Sequence, residues 1–96
     1  MTIDFHSEAR KELFNAASYY EDQVIGLGDE FIEEIEKVLE VIRQQPDSGV
    51  EITENERRFL VPRFPFAIIY SKESKQIIIF AIMHLRRKPG YWKSRT

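Results

Sequence analysis

The stretch Gln76–Trp92, QIIIFAIMHLRRKPGYW, sets the architecture that the rest of the sequence completes. It begins with an uninterrupted run of apolar residues, Ile77 to Met83. A β-branched run of this length is typical of a strand buried on both faces, so we expect the central strand of a small sheet. At His84 the character changes, and an imidazole, three cations, a Pro-Gly turn and two aromatic residues follow. A rigid strand with such an end can position a polar site, although a core strand that runs into a solvated basic tail is the simpler interpretation.

Length and composition restrict the class of protein. The 96 residues suffice for one modest core, so we expect a single domain, 1–96. The chain has no cysteine, which excludes disulfides and thiolate metal sites. No apolar run reaches the roughly 18 residues of a membrane span, and the N-terminus lacks the pattern of a signal peptide. We therefore expect a cytoplasmic protein that does not engage a membrane.

Charge is divided between the two halves of the chain. Residues 1–54 carry fourteen acidic and four basic side chains, whereas residues 55–96 carry two acidic and ten basic ones. The net charge of −2 hides this polarity. The basic half is suited to a polyanion or an acidic peptide, unless acidic helices and basic strands simply pair within the chain.

Two helices are predicted after a short strand at residues 2–5. Apolar residues recur at helical spacing over about 8–25 and 28–45, with Ser7 as the expected N-cap and glycines at the connection. The short connection predicts an antiparallel helical hairpin. The predicted core residues of helices and sheet are Leu13, Phe31, Ile35, Leu39, Ile68, Ile78 and Phe80.

Strand periodicity replaces helical periodicity after residue 56. The predicted strands are 57–61, 66–71 and 76–83, preceded by a polar loop with a short extended piece near 50–52. Short links make these strands antiparallel neighbours. The fold class is therefore α+β, with an N-terminal helical hairpin packed on one face of a small antiparallel β-sheet. Tyr91 and Trp92, a second copy in a homodimer, or a partner chain must cover part of the other face.

The residue types favour chemistry without a metal or another cofactor. His6 and His84 are far apart in sequence, and neither lies in a metal-binding motif. Metal-free RNA cleavage needs proton transfer, for which a histidine such as His84 is suited, and cations that stabilise phosphate charge. Arginines meet the second need, and Tyr91 or Trp92 can stack on a base. Antiparallel geometry predicts that five groups converge at one end of the sheet: Arg63, His84, Arg86, Arg87 and Tyr91.

Several motifs resemble the RelE/ParE superfamily of bacterial toxins. They are Leu27-Gly28-x-x-Phe31, Pro46, Arg63-Phe64-Pro65-Phe66-x-Ile68-x-Tyr70 and His84-x-Arg86-Arg87-x-Pro89-Gly90-Tyr91-Trp92. The resemblance covers roughly residues 7–95, and the last motif is its most specific part. It implies the same fold, a type II toxin–antitoxin module and an antitoxin that wraps the toxin. The loop 46–56 holds glutamates where RelE-like members are lysine-rich, so the pattern is closer to ParE-like and plasmid-stabilisation sequences.

The resemblance implies growth inhibition through one of two targets. RelE-like members cleave mRNA on the ribosome, and ParE-like members poison DNA gyrase. Arg63, His84, Arg86 and Tyr91 are the candidate catalytic residues, and no metal site is expected. The candidate residues for binding nucleic acid or the target are Arg58, Arg87, Lys88 and Trp92. A non-catalytic nucleic-acid-binding module and an inactive relative that only binds antitoxin remain alternatives.

Overall fold

Two helices pack on one face of a five-stranded sheet in the computed structural model, which describes all residues, 1–96. Along the chain the elements are β1 Thr2–Phe5, α1 Ser7–Gln23, α2 Leu27–Gln44, β2 Val50–Glu51, β3 Glu56–Leu60, β4 Phe66–Lys72, β5 Gln76–His84 and a 3-10 helix Tyr91–Arg95. The strand order in the sheet is β1-β5-β4-β3-β2, which places β5 next to β4 and β1. The predicted α+β class is confirmed.

The helical hairpin forms as predicted, with one difference at its start. His6, rather than Ser7, is the N-cap of α1, because its Nδ1 accepts a hydrogen bond from the backbone N–H of Glu8 at 3.1 Å. At the other end of α1 the carboxylate of Glu21 accepts the N–H groups of Gly26 and Gly28 at 2.9 and 3.0 Å. These bonds satisfy donors that the start of α2 would otherwise leave free, and they hold the connection between the helices.

The sheet is mixed rather than wholly antiparallel. β2, β3, β4 and β5 are successive antiparallel neighbours, as their short links require. β1 pairs with β5 in parallel, from Thr2 opposite Gln76 to Phe5 opposite Ile79. Two parallel neighbouring strands need a long connection between them. Here the connection from β1 to β5 contains both helices and three strands, so it is long enough.

The predicted core residues divide between the two faces of the sheet. Phe31, Ile35 and Ile68 are buried between helices and sheet. Leu13 and Leu39 pack against this cluster and are partly buried. Two residues belong to the opposite face, where Phe80 is buried and Ile78 partly buried. The sheet is thus apolar on both sides, as the uninterrupted strand predicts.

The C-terminal segment covers part of the second face. Trp92 is 3% exposed and packs in a cluster with Ile69, Phe80, Met83 and two alanines of β4 and β5. Tyr91 is half-buried beside this cluster. The sequence left three possible covers for this face: Tyr91 and Trp92, a second copy, or a partner chain. Tyr91 and Trp92 of the chain itself cover part of it. The part of the face nearest the β4–β5 connection stays open.

Candidate functional site

The end of β5 brings three of the predicted site residues to one cleft. His84, the last residue of β5, lies opposite Phe66, the first residue of β4. His84, Arg87 and Tyr91 line a cleft of about 270 Å3 against helix α1. The turn that follows β5 therefore returns towards the helices, and it carries the cationic side chains with it.

The imidazole of His84 is held in one orientation. Its Nδ1 accepts a hydrogen bond from the backbone N–H of Arg86 at 3.0 Å, and its ring meets the Phe66 ring edge-on at 5.0 Å between centroids. A neutral imidazole that accepts at Nδ1 carries its hydrogen on Nε2. Nε2 is then a donor, and the lone pair of Nδ1 is used in the bond from the backbone N–H of Arg86.

A carboxylate of α1, Glu12, binds the C-terminal segment to the sheet. It accepts hydrogen bonds from the Tyr91 hydroxyl at 2.7 Å and from two guanidinium nitrogens of Arg95 at 2.9 and 3.0 Å. It also accepts the backbone N–H of Ile82 in β5 at 3.0 Å. The side chains of Glu12 and Arg95 are 16% and 12% exposed, so this ion pair lies largely out of water. The Glu12 cluster (Glu12, Ile82, Tyr91 and Arg95) joins α1, β5 and the 3-10 helix.

The phenol of Tyr91 is stabilised in its neutral form. Burial and the hydrogen bond that it donates to Glu12 raise the pKa of Tyr91 above its ordinary value. The guanidinium of Arg87 lies over the ring, 3.9 Å from its centroid, in a cation–π contact. Tyr91 therefore serves as a bridge between Glu12 and Arg87, and its proton is not readily given up.

Arg63 faces α2 and does not line the cleft of His84. It lies in the turn between β3 and β4 with a left-handed φ of 72°, which is uncommon for a residue with a side chain. Its guanidinium donates to Glu30 at 2.7 Å and to the buried Glu34 at 3.5 Å. Arg63 therefore forms salt bridges with carboxylates of helix α2. Arg86 and Arg87 form none.

The remaining predicted cations lie on the surface around the C-terminal turn. We call residues 85–88 the basic loop; its Arg86 and Lys88 are exposed and form no side-chain hydrogen bond. Arg58 of β3 is also exposed, and it lines a hollow of about 220 Å3 together with Lys93. Trp92, one of the two aromatic residues considered for stacking on a base, forms a wall of this hollow and is buried. Its ring is therefore not available for stacking while the 3-10 helix is docked.

The open part of the second sheet face carries the opposite charge. A row of side chains in register crosses four strands: Asp4, Ile78, Ser71 and Glu56. Glu73 accepts a hydrogen bond from the Ser71 hydroxyl at 3.2 Å. These residues line a hollow of about 620 Å3, which we call the acidic hollow. Arg95 also lines it, but its guanidinium is paired with Glu12. None of its three carboxylates forms a salt bridge to a cation of the chain.

The structure has neither a group of side chains placed for a metal nor a helix suited to span a membrane. No group of three or more histidine, aspartate or glutamate side chains is placed to hold a metal ion. Neither helix combines the length and apolarity that crossing a bilayer requires.

A family model described as "ParE toxin of type II toxin-antitoxin system, parDE" matches residues 3–89. The chain belongs to the ParE toxin family. A chain from the solved structure of the chromosomal ParDE toxin–antitoxin system of P. aeruginosa has a similar fold, with a TM-score of 0.73 and 19% sequence identity. The alignment covers 88% of this chain and 95% of that one. A search of curated proteins finds no match.

The residue of this ParE-family chain that sequence reasoning missed is Glu12. Glutamates on helix faces are most often solvated, and Glu12 has no sequence feature that sets it apart from its neighbours. Its partners Tyr91 and Arg95 lie 79 and 83 positions away. The sequence offered only an indirect signal. Residues 1–54 are acidic and residues 55–96 are basic, so a glutamate of α1 could pair with a C-terminal arginine, but nothing singled out Glu12.

Replacement of Tyr91 by phenylalanine should make stability less sensitive to alkaline pH. Because the pKa of Tyr91 is raised in the folded chain, the unfolded chain releases this proton first, near the ordinary pKa of about 10. The stabilisation from Tyr91 is therefore complete below about pH 10 and lost as the pH rises towards the folded-state pKa. Urea unfolding at pH 8 and pH 10.5 should show a smaller loss for Tyr91→Phe than for the original chain. Tyr19→Phe is the matched control because that side chain is 61% exposed, and equal losses in all three proteins would contradict this expectation.

Proposed function

We propose that this protein is the toxin of a type II toxin–antitoxin module, that it poisons DNA gyrase through the basic loop, and that a cognate antitoxin neutralises it. Family membership supports the toxin assignment. The choice of gyrase rests on the state of the predicted catalytic groups, together with the gyrase target that the resemblance to ParE-like toxins implies. Binding to a target protein needs exposed charge and shape, whereas RNA cleavage needs groups that are free to transfer protons.

The single observation that carries this proposal is that internal hydrogen bonds occupy the acid–base candidates. Nδ1 of His84 is occupied by Arg86, and the Tyr91 hydroxyl by Glu12. Arg63 is paired with Glu30 and Glu34. By contrast, Arg86 and Lys88 of the basic loop are exposed and have no carboxylate partner. Such a surface is suited to association with an acidic patch of a target.

The acidic hollow supports the same choice. An RNA strand laid across the open sheet face would pass carboxylates on β1, β3 and the β4–β5 connection: Asp4, Glu56 and Glu73. Like charges repel over several ångströms in the weakly screened space near a protein surface. Binding of nucleic acid to this face is therefore disfavoured.

Ribosome-dependent mRNA cleavage is the second candidate, and one observation favours it. His84, Arg87 and Tyr91 share a cleft, so an imidazole and a guanidinium line the same space. In that mechanism Nδ1 of His84 could accept a proton only after a conformational change releases it from the backbone N–H of Arg86.

The test is inducible expression in a bacterium with labelled precursors of DNA, RNA and protein. A gyrase poison should stop DNA synthesis first and induce the response to DNA damage, and the purified protein should inhibit supercoiling by gyrase. A ribosome-dependent nuclease should stop protein synthesis first and leave cleaved mRNA. Early arrest of translation with unimpaired supercoiling would overturn the proposed target, and undisturbed growth would overturn the toxin assignment.

A further inference from the structure

One edge of the sheet, on β1, has no strand partner. β1 is the first strand in the sheet order and pairs only with β5. The backbone N–H groups of Thr2 and His6 donate to carbonyls on the β5 side, at 3.4 and 2.9 Å. Because backbone groups alternate in direction along a strand, those of Ile3 and Phe5 face outward from the sheet. This edge therefore presents two N–H and two C=O groups to an incoming strand.

The acidic hollow begins at the same edge. Asp4 lies on β1 between the two outward-facing residues, with its side chain on the second sheet face. Across the sheet in register follow Ile78, Ser71 and Glu56. Neighbouring strands are about 4.8 Å apart, so the backbone positions of Asp4 and Glu56 are separated by roughly 14 Å. Ile78 and Ser71 thus lie between carboxylates, with Phe5 and Phe80 also in the lining, and long basic side chains, which combine an apolar stem with a charged head, complement this mixed surface.

A second copy of this chain fits the edge poorly. Antiparallel pairing of two β1 strands in the fullest register places Ile3 opposite Phe5, and it also places the two Asp4 side chains directly opposite each other. Like charges in that position destabilise a strand pair. A partner strand with lysine or arginine opposite Asp4 would instead be attracted electrostatically to the carboxylate.

We propose that the β1 edge and the acidic hollow together form the docking surface for an extended, cationic segment of the antitoxin, which adds a strand to the sheet beside β1. This proposal rests on the proposed toxin function. Main-chain hydrogen bonds to Ile3 and Phe5 supply affinity, and basic side chains at alternate positions reach over Asp4 into the hollow. Phe5 lies opposite Ile79, five residues before His84, so the surface is roughly 17 Å from the basic loop. The docked strand is therefore an anchor, placed apart from the surface proposed to bind the target.

Peptide binding tests the surface directly. The probes are two eight-residue peptides, one of alternating lysine and threonine and one of alternating glutamate and threonine, followed by NMR of the labelled protein. The lysine peptide should shift the amide signals of Ile3 and Phe5, and the glutamate peptide should not. Asp4→Lys should weaken binding of the lysine peptide by about tenfold, as expected for reversal of one charge at an interface. Equal binding of both peptides, or of neither, would overturn the proposal.

A growth experiment tests whether this surface is needed for neutralisation by the antitoxin. It also distinguishes failure of the docking proposal from failure of the proposed toxin function. Asp4→Lys should inhibit growth as strongly as the original chain when expressed alone, but co-expression of the cognate antitoxin should rescue it less well. Glu36→Lys is the matched control, because Glu36 is exposed on α2 and forms no ion pair, and its rescue should be unchanged. Full rescue of Asp4→Lys would overturn the docking surface while toxicity stands. Absence of growth inhibition by the original chain would overturn the toxin function, and the peptide experiment would still decide the surface.

Discussion

Glu12→Ala should lower the free energy of unfolding by about 3–5 kcal/mol, the usual cost of removing one partner from a largely buried ion pair. The change leaves the Arg95 guanidinium without its carboxylate and the Tyr91 hydroxyl and Ile82 N–H without an acceptor. For a domain of this size the midpoint of thermal unfolding should fall by at least about 12 °C. Circular dichroism during heating measures the midpoint, and urea titration measures the free energy.

Two further variants show whether this loss belongs to the Glu12 cluster. Glu36→Ala removes an exposed glutamate of α2 and should change stability by less than about 0.5 kcal/mol. Arg95→Ala should be costly alone but should add little to Glu12→Ala, because the partner of Arg95 is then already absent. A Glu12→Ala protein within 1 kcal/mol of the original chain would contradict the expected cost of leaving Arg95 and Tyr91 unpaired.

Reversal of two charges in the basic loop, Arg86→Glu with Lys88→Glu, should abolish growth inhibition. Both side chains are exposed and have no partner in the chain, so the free energy of unfolding should stay within about 0.5 kcal/mol. If the loop binds an acidic patch of gyrase, two reversed charges should weaken the association by about 100-fold or more. Inhibition of supercoiling by the purified variant measures this loss.

The matched control places the same charge change at the other end of the sheet. Lys72→Glu with Lys75→Glu alters the net charge equally, beside the connection between β4 and β5. Lys72 has only a long contact to Asp47, at 3.9 Å, and the pair should retain toxicity in the absence of antitoxin. Toxicity that survives reversal in the basic loop would show that the target is not bound through residues 85–88. Equal loss in the control would show that the charge change, and not its position in the basic loop, abolishes toxicity.

Local patterns were sufficient to predict most of the fold. The apolar stripe of α2 and the glycines before it locate the hairpin, and the short links locate the antiparallel strands. The position of β1 could not be predicted in the same way. Its four residues contain no information about direction, because their partner Gln76–Ile79 is more than 70 positions away and the register depends on how both helices pack.

The sequence was sufficient to predict several residues of the candidate site but not which contacts their side chains form. The sequence shows that His84, Arg87 and Tyr91 follow one strand, and they do share a cleft. It does not show that Arg63 turns towards Glu30, since this depends on a left-handed residue and on the distance between the β3–β4 turn and α2. Trp92 was likewise ambiguous, because a terminal aromatic residue is equally suited to a base and to an uncovered sheet face, and burial decided between them.

The parallel pairing of β1 with β5 makes the two ends of the chain depend on each other during folding. Thr2–Phe5 cannot join the sheet until Gln76–Ile79 is available, and Glu12 gains its partner only when Arg95 has been synthesised. Contacts between such distant residues form slowly, because a long loop must close before they stabilise the chain. A growing chain on the ribosome can form the helical hairpin early but must wait for Gln76–His84 to complete the sheet. The native surface, including the basic loop, is therefore absent from incomplete chains.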